Sequence, residues 1–160
     1  MTTRPDYVYV TYIASTPDAV WQALVDPEVT ARYWSGMKAS GPPHVNVSDW
    51  EAGSRWEHRR ADESATVDIA GTVVESSPPR RLVLTWARPA EFDDPAMHSR
   101  VTMDIEPVAD GTVRLTVIHD DLLKDPKMLA GISGGWPVVL ANLKSLLETG
   151  RALPGTSAAG

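Results

Sequence analysis

Four histidines carry most of the acid–base and metal chemistry open to this chain, because it has no cysteine. They are His44, His58, His98 and His119. No two of them lie four residues apart and there is no HExxH motif, so we expect neither a metal nor another cofactor. His58 and His119 each end an alternating apolar run. One interpretation is a strand-rim histidine bonded to backbone, and the other is a cavity group that orients a ligand or moves a proton.

The other reactive side chains lack the arrangement that catalysis needs, and we predict no catalytic residue. Adjacent carboxylates at 93–94 and 120–121 diverge in direction, so we expect them to be solvated. No serine lies in a GxSxG motif. The glycine-rich segment 131–135 lacks the lysine and preceding strand of a phosphate-binding loop, and we interpret it as a flexible entrance to a helix. The arginine pairs 59–60 and 80–81 are strand-end charges, one of which could reach a ligand carboxylate at a cavity rim.

Composition narrows the classes of partner. The chain has 160 residues and a net charge of −6. That charge disfavours nucleic acid and anionic membrane surfaces as partners. The start of the sequence is not typical of a signal peptide and no stretch approaches the ~20 apolar residues of a membrane span, so we expect a cytoplasmic protein. A homodimer is compatible with these properties.

Periodicity predicts an α+β chain. Alternating residues indicate strands at 7–13, 45–49, 55–59, 66–75, 81–86, 99–106 and 112–119. Thr16-Pro17-Asp18 and Asp26-Pro27-Glu28 are helix-entry signals, so two short helices should follow the first strand. An apolar stripe predicts a long helix over 134–150, which closes a curved sheet. We expect residues 88–97 to form a long mobile loop and residues 151–160 a flexible tail.

Five segments, in this order along the chain, are similar to one known family: "YIASTPDAVWQALVDPEVTARYWSG", "SDWEAGSRWEH", "GTVVESSPPRRLVLTW", "VTMDIEP…GTVRLTVIHD" and "SGGWPVVLANLKSLLETG". The chain resembles the AHSA1-like (activator of Hsp90 ATPase homologue 1-like) family of the START/Bet v 1-like (SRPBCC) superfamily. The resemblance implies a helix-grip fold, in which a curved antiparallel sheet of about six to seven strands grips the C-terminal helix above a cavity. We expect a single such domain over residues 1–150.

The resemblance implies no shared catalytic motif, because the family patterns build the scaffold. Our leading hypothesis is a protein that binds a small hydrophobic or aromatic molecule. One alternative is a cyclase, dehydratase or hydrolase, which would need His58 or His119 beside a carboxylate or tyrosine. The other is a chaperone-associated interaction module with an exposed apolar patch. It is not the leading expectation, since the co-chaperones' separate N-terminal domain is not among these 160 residues.

Six tryptophans against one phenylalanine suggest an aromatic-lined cavity. A dry void lowers stability by on the order of 24 cal/mol per Å³ of its volume. We therefore expect a protein to keep a large cavity only where water or a ligand fills it. The predicted wall residues are aromatic, sulfur-containing, imidazole or aliphatic: Trp34, Met37, Trp50, Trp56, His58, Trp86, Met97, Met103, His119, Trp136 and Leu140.

Overall fold

A computed structural model describes residues 5–35 and 42–154. Seven antiparallel strands form one curved sheet in the order β1-β7-β6-β5-β4-β3-β2. The strands are β1 Tyr7–Ala14, β2 His44–Ser48, β3 Arg55–Arg60, β4 Val67–Ser77, β5 Arg81–Trp86, β6 Ser99–Ala109 and β7 Thr112–Asp120. The helices are α1 Pro17–Val25, α2 Pro27–Tyr33 and α3 Pro126–Thr149. The predicted helix-grip architecture is therefore confirmed.

Both helix-entry signals act as predicted. The Thr16 side chain accepts a hydrogen bond from the backbone N–H of Ala19 at the start of α1. The Asp26 carboxylate does the same for Glu28 at the start of α2. Each cap satisfies a backbone donor that has no partner within its helix, and the proline that follows fits the first helical turn.

The long helix begins at Pro126, eight residues before the predicted Gly134. Asp125 caps it by accepting from the Met128 N–H at 3.1 Å. The glycine-rich segment 131–135, predicted as a flexible entrance, therefore lies inside α3. Each glycine in a helix costs about 1 kcal/mol relative to alanine, and the burial of Ile132 and Trp136 against the sheet offsets that cost. The helix ends as predicted, at Gly150 in the left-handed conformation.

One close approach between strands shapes the sheet beside the site. Gly71 of β4 lies opposite Trp56 of β3. The Trp56 indole reaches past it and donates to the Thr85 carbonyl oxygen at 2.7 Å. A Cβ atom at position 71 would overlap that same carbonyl group. Glycine is therefore required here for steric reasons, independently of its backbone dihedrals.

Two sequence predictions fall wholly or partly outside the described residues. Met37 lies in the undescribed stretch 36–41, and most of the predicted tail lies beyond residue 154.

The predicted loop at 88–97 contains two short 3-10 turns, Pro89–Glu91 and Pro95–Met97. No helix in the described ranges 5–35 and 42–154 is long and apolar enough to cross a membrane.

Candidate ligand-binding site

A cavity of about 430 Å³ lies between the β2–β4 side of the sheet and the first half of α3. The first turns of α3 line one side, the inner faces of β2, β3 and β4 line the other, and the chain after β5 borders it. The lining residues are Ser35, Pro42, His44, His58, Arg60, Asp68, Ile69, Trp86, Arg88, Pro89, Lys127, Met128, Gly131 and Ile132.

One face of α3 forms a wall of this cavity. Lys127, Met128, Gly131 and Ile132 all line it, and their spacing of one, four and five residues places them on the same side of a helix. A Cβ atom built on Gly131 would meet no other atom within 4 Å. The glycine therefore leaves open space where any other residue would project a side chain.

The opposite wall comes from strand faces with polar residues turned inward. His44 and Asn46 of β2 are buried, while the alternate residues Val45 and Val47 are only half-buried. On β3, the partner of Asn46 in the sheet register is His58. Strand alternation therefore brings imidazole and amide groups to the inside, where buried polar groups need hydrogen-bond partners.

His58 presents a lone pair on its Nε2 atom. Its Nδ1 atom lies 2.7 Å from Asn46 Oδ1, and since that oxygen can only accept, Nδ1 carries the proton. Burial, with a smaller contribution from the nearby His44, lowers the pKa of His58 to about 3, so the ring is neutral at physiological pH. Nε2 is then an acceptor, and it has no partner among the described residues.

His44 stacks on His58 and is held in a different way. The ring centroids are 4.4 Å apart and the planes 12° from parallel. Its Nδ1 faces the Pro42 carbonyl oxygen at 2.9 Å and its Nε2 faces Asp68 Oδ2 at 2.7 Å. Both partners are oxygen atoms that can only accept a hydrogen bond. Partial burial alone would raise the pKa of Asp68, but hydrogen bonds from His44 and Arg60 outweigh it and hold that pKa below its ordinary value.

Trp86 supplies a second unpartnered group. Its side chain lines the cavity and is 1% exposed. The indole packs against Trp56, Trp136 and His119 at centroid distances of 5.3 to 5.7 Å. Its Nε1–H has no hydrogen-bond partner within the ranges 5–35 and 42–154, and the same is true of Trp34 Nε1, which lies outside the lining. The lining therefore offers one buried donor as well as the buried acceptor on His58.

An ion pair between Arg88 and Asp125 lies at the mouth of the cavity. The two Nη atoms of Arg88 contact the two carboxylate oxygens of Asp125 at 3.1 and 3.3 Å. Asp125 is also the N-cap of α3. This bidentate pair therefore holds the start of α3 against the chain after β5, which borders the cavity.

His119, the second candidate histidine, is part of the core. Trp136 Nε1–H donates to its Nδ1 at 3.2 Å, so the proton lies on Nε2, which donates to Ser99 Oγ at 2.8 Å. The residue is fully buried, and burial lowers its pKa to about 3. Both of its nitrogens are satisfied, and it is not among the cavity lining.

Of the predicted wall residues that lie within the ranges 5–35 and 42–154, only His58 and Trp86 line this cavity. Five others are buried in the adjoining core: Trp34, Trp56, Met103, Trp136 and Leu140. Trp50 is half-buried against that core, and Met97 is half-buried in the second 3-10 turn. Trp34 and Trp136 pack 5.5 Å apart, edge to face, so the space beneath the middle of α3 is filled by indoles.

Sequence reasoning missed Arg88, Lys127 and Asp68 in the lining, the last of which is the polar partner of His44. One signal was available: Arg60 was recognised as a strand-end arginine that could reach a rim. Asp68 gave no signal, because its role depends on the pairing of β3 with β4. The enzyme alternative requires His58 or His119 beside a carboxylate or tyrosine. Among the described residues, His58 is hydrogen-bonded to Asn46, and His119 to Ser99 and Trp136.

A seven-stranded antiparallel sheet gripping α3, with two short helices after β1, defines a protein of the helix-grip class in the SRPBCC/Bet v 1-like superfamily. The chain belongs to the family described as activator of Hsp90 ATPase homolog 1-like protein, whose profile matches residues 14–148. A comparison with curated proteins gives no match.

Solved structures with the same fold include PFC0360w from Plasmodium falciparum, described as an HSP90 activator. It is 18% identical with a TM-score of 0.68, over 88% of this chain and 94% of that one. CalU16 from Micromonospora echinospora is 19% identical with a TM-score of 0.66, over 93% and 77%. The Aha1 dimer from Colwellia psychrerythraea is 18% identical with a TM-score of 0.66, over 91% and 97%. At these identities the likeness shows the fold alone.

Proposed function

We propose that the chain binds a small, mostly apolar or aromatic molecule in the cavity between its sheet and α3. The observation that carries the proposal is a pair of buried ring nitrogens in the lining, His58 Nε2 and Trp86 Nε1, neither with a partner among the described residues. Leaving a buried polar group unsatisfied costs about 1–3 kcal/mol. A bound molecule with matching polar groups would recover that free energy.

The size and surface of the cavity support this function. A volume of about 430 Å³ lies within the ~300–1,000 Å³ typical of small-molecule sites. Ile69, Met128 and Ile132 contribute apolar surface beside the Trp86 indole. Such a lining suits a flat, mostly apolar ligand, oriented by a few polar contacts.

A titration with Nile red, a neutral fluorescent probe, tests the proposal. Gly131→Leu places a side chain in the cavity, while Gly134→Leu adds the same side chain to the same helix at a position outside the lining. We expect the wild type and Gly134→Leu to bind the probe equally. Gly131→Leu should bind at least about tenfold more weakly, a loss of ~1.4 kcal/mol. Equal binding by all three proteins would contradict this location for the site.

An exposed apolar stripe favours a second candidate, a protein interaction through β1. Val8, Val10 and Tyr12 alternate along this edge strand and are 48%, 44% and 50% exposed. Contiguous exposed apolar residues are typical of interaction sites. Stimulation of the ATPase of a purified bacterial Hsp90 that is lost in Val10→Lys would support this candidate. An ATPase rate unchanged by the wild-type chain would count against it.

A further inference from the structure

The charges around the cavity have the opposite sign to the chain as a whole. The sequence has 15 Lys and Arg against 21 Asp and Glu. The lining nevertheless contains three cationic side chains, Arg60, Arg88 and Lys127, and only one carboxylate, Asp68, among the described residues. A negatively charged group entering the cavity would therefore meet a local excess of positive charge.

Two of these cationic side chains have N–H groups with no hydrogen-bond partner among the described residues. Lys127 lies exposed in the first turn of α3 and has no ion pair among the described residues. Arg60 contacts Asp68 through Nε at 3.2 Å, and its two terminal nitrogens have no partner within the described part of the chain. Arg88, by contrast, uses both Nη atoms on Asp125. Lys127 and Arg60 are thus the side chains able to receive a ligand carboxylate.

The buried end of the cavity selects for different chemistry. His58 Nε2 is a lone-pair acceptor, because Nδ1 carries the proton that is donated to Asn46. A carboxylate oxygen placed beside Nε2 would bring two hydrogen-bond acceptors together with no proton between them. Trp86 Nε1 is a donor without a partner among the described residues. A hydroxyl group can both donate and accept, so it is the simplest group that suits either nitrogen.

We infer that the ligand is a hydroxylated aromatic acid, with its carboxylate at the mouth near Lys127 and Arg60 and its hydroxyl group at the His58 end. Its aromatic body lies against Ile69 and Ile132. This inference rests on the proposed function and gives the ligand a chemical class and a direction. The inference follows from three features along the cavity: cationic side chains at its mouth, apolar side chains in its middle, and a neutral hydrogen-bond acceptor, His58 Nε2, at its buried end.

Three matched naphthalene probes test the two ends separately by isothermal titration calorimetry. They are 6-hydroxy-2-naphthoic acid, 2-naphthoic acid, which lacks the hydroxyl group, and 2-naphthol, which lacks the carboxylate. Each is titrated into the wild type, Lys127→Gln and Arg100→Gln. Arg100 is exposed on β6 outside the lining, so its variant removes the same charge away from the cavity.

We expect the hydroxy acid to bind the wild type most tightly. Loss of its hydroxyl group should weaken binding about tenfold, because a buried acceptor loses its partner. Lys127→Gln should weaken both acids by up to about fivefold, the range of a partly exposed ion pair. The same variant should leave 2-naphthol unchanged, and Arg100→Gln should leave all three probes unchanged.

Two results would overturn the inference. One is equal binding of the three probes to the wild type, and the other is an equal effect of Lys127→Gln and Arg100→Gln on the acids. If Nile red binding still depends on position 131 in that case, the proposed function stands and only the ligand class is wrong. If position 131 makes no difference to Nile red, the site itself is wrong.

Discussion

Acidification should destabilise this protein well above the pH at which its carboxylates titrate. His58 and His119 are buried as neutral rings, and burial lowers the pKa of each from 6.5 to about 3. In the unfolded chain each ring returns to its ordinary pKa. Between about pH 6.5 and pH 3 the unfolded state therefore binds more protons than the folded state. Stability is fully present above pH 6.5 and is lost as the pH falls through this window.

The magnitude follows from the size of the shift. Each pH unit below 6.5 costs about 1.4 kcal/mol per histidine, so by pH 5 each ring should have cost about 2 kcal/mol. The two together should lower the free energy of unfolding by about 4 kcal/mol between pH 7.5 and pH 5. That is a large share of the ~5–15 kcal/mol available to a typical domain.

Urea unfolding at pH 7.5, 6 and 5 measures this dependence. His119→Asn removes one titrating ring but keeps an oxygen that can accept from Trp136 Nε1, so it should halve the pH dependence. Val117→Ala is the control: it lies buried on the same strand and does not titrate. It should lower stability at every pH without changing the dependence. If wild type and His119→Asn lose stability in parallel on acidification, the buried-histidine argument is refuted.

Three further variants test other parts of the fold by urea unfolding. Gly71→Ala should cost about 3 kcal/mol, because its Cβ would overlap the Thr85 carbonyl group; unchanged stability would mean that β4 and β5 can separate freely. Asp125→Ala should cost about 1–2 kcal/mol through loss of the α3 cap and the contact with Arg88, while Asp125→Asn, which keeps a cap acceptor, should cost less. Gly134→Ala should stabilise the protein by about 1 kcal/mol, because its Cβ meets no atom within 4 Å in a helix; a loss of stability would contradict that open surface.

Local signals were enough to predict most of the framework. The caps of α1 and α2 depend on residues three positions apart or fewer. The predicted start of α3 at Gly134 was wrong, because the segment 131–135 was interpreted as an entrance and the Asp125-Pro126 cap was not recognised. Helix propensity is a weak preference, and tertiary packing of Ile132 and Trp136 overrides it here.

The site was harder to predict because its residues depend on pairing between strands. The sequence HVNVS favours valines facing inward, yet His44 and Asn46 are the buried residues of β2. Their burial is stabilised by Asp68 on β4 and by His58 on β3. Neither contact is visible in the alternation of a single strand, since a change of register by one residue would exchange the two faces.

The stacked pair His44–His58 explains how one cavity can keep a neutral acceptor beside a concentration of positive charge. The Pro42 carbonyl oxygen and Asp68 Oδ2 lie 2.9 and 2.7 Å from the two ring nitrogens of His44 and hold that ring in place beside His58. The His44 ring centroid lies 4.4 Å from that of His58, and this neighbour opposes protonation of His58, adding to the larger effect of burial. His58 Nε2 therefore remains an acceptor throughout the physiological range, unlike a histidine of ordinary pKa, which would become a donor near pH 6.5. Asp68 acts on His58 in the opposite direction, since its negative charge favours protonation of that ring, but burial outweighs it and leaves Nε2 as the acceptor that faces the cavity.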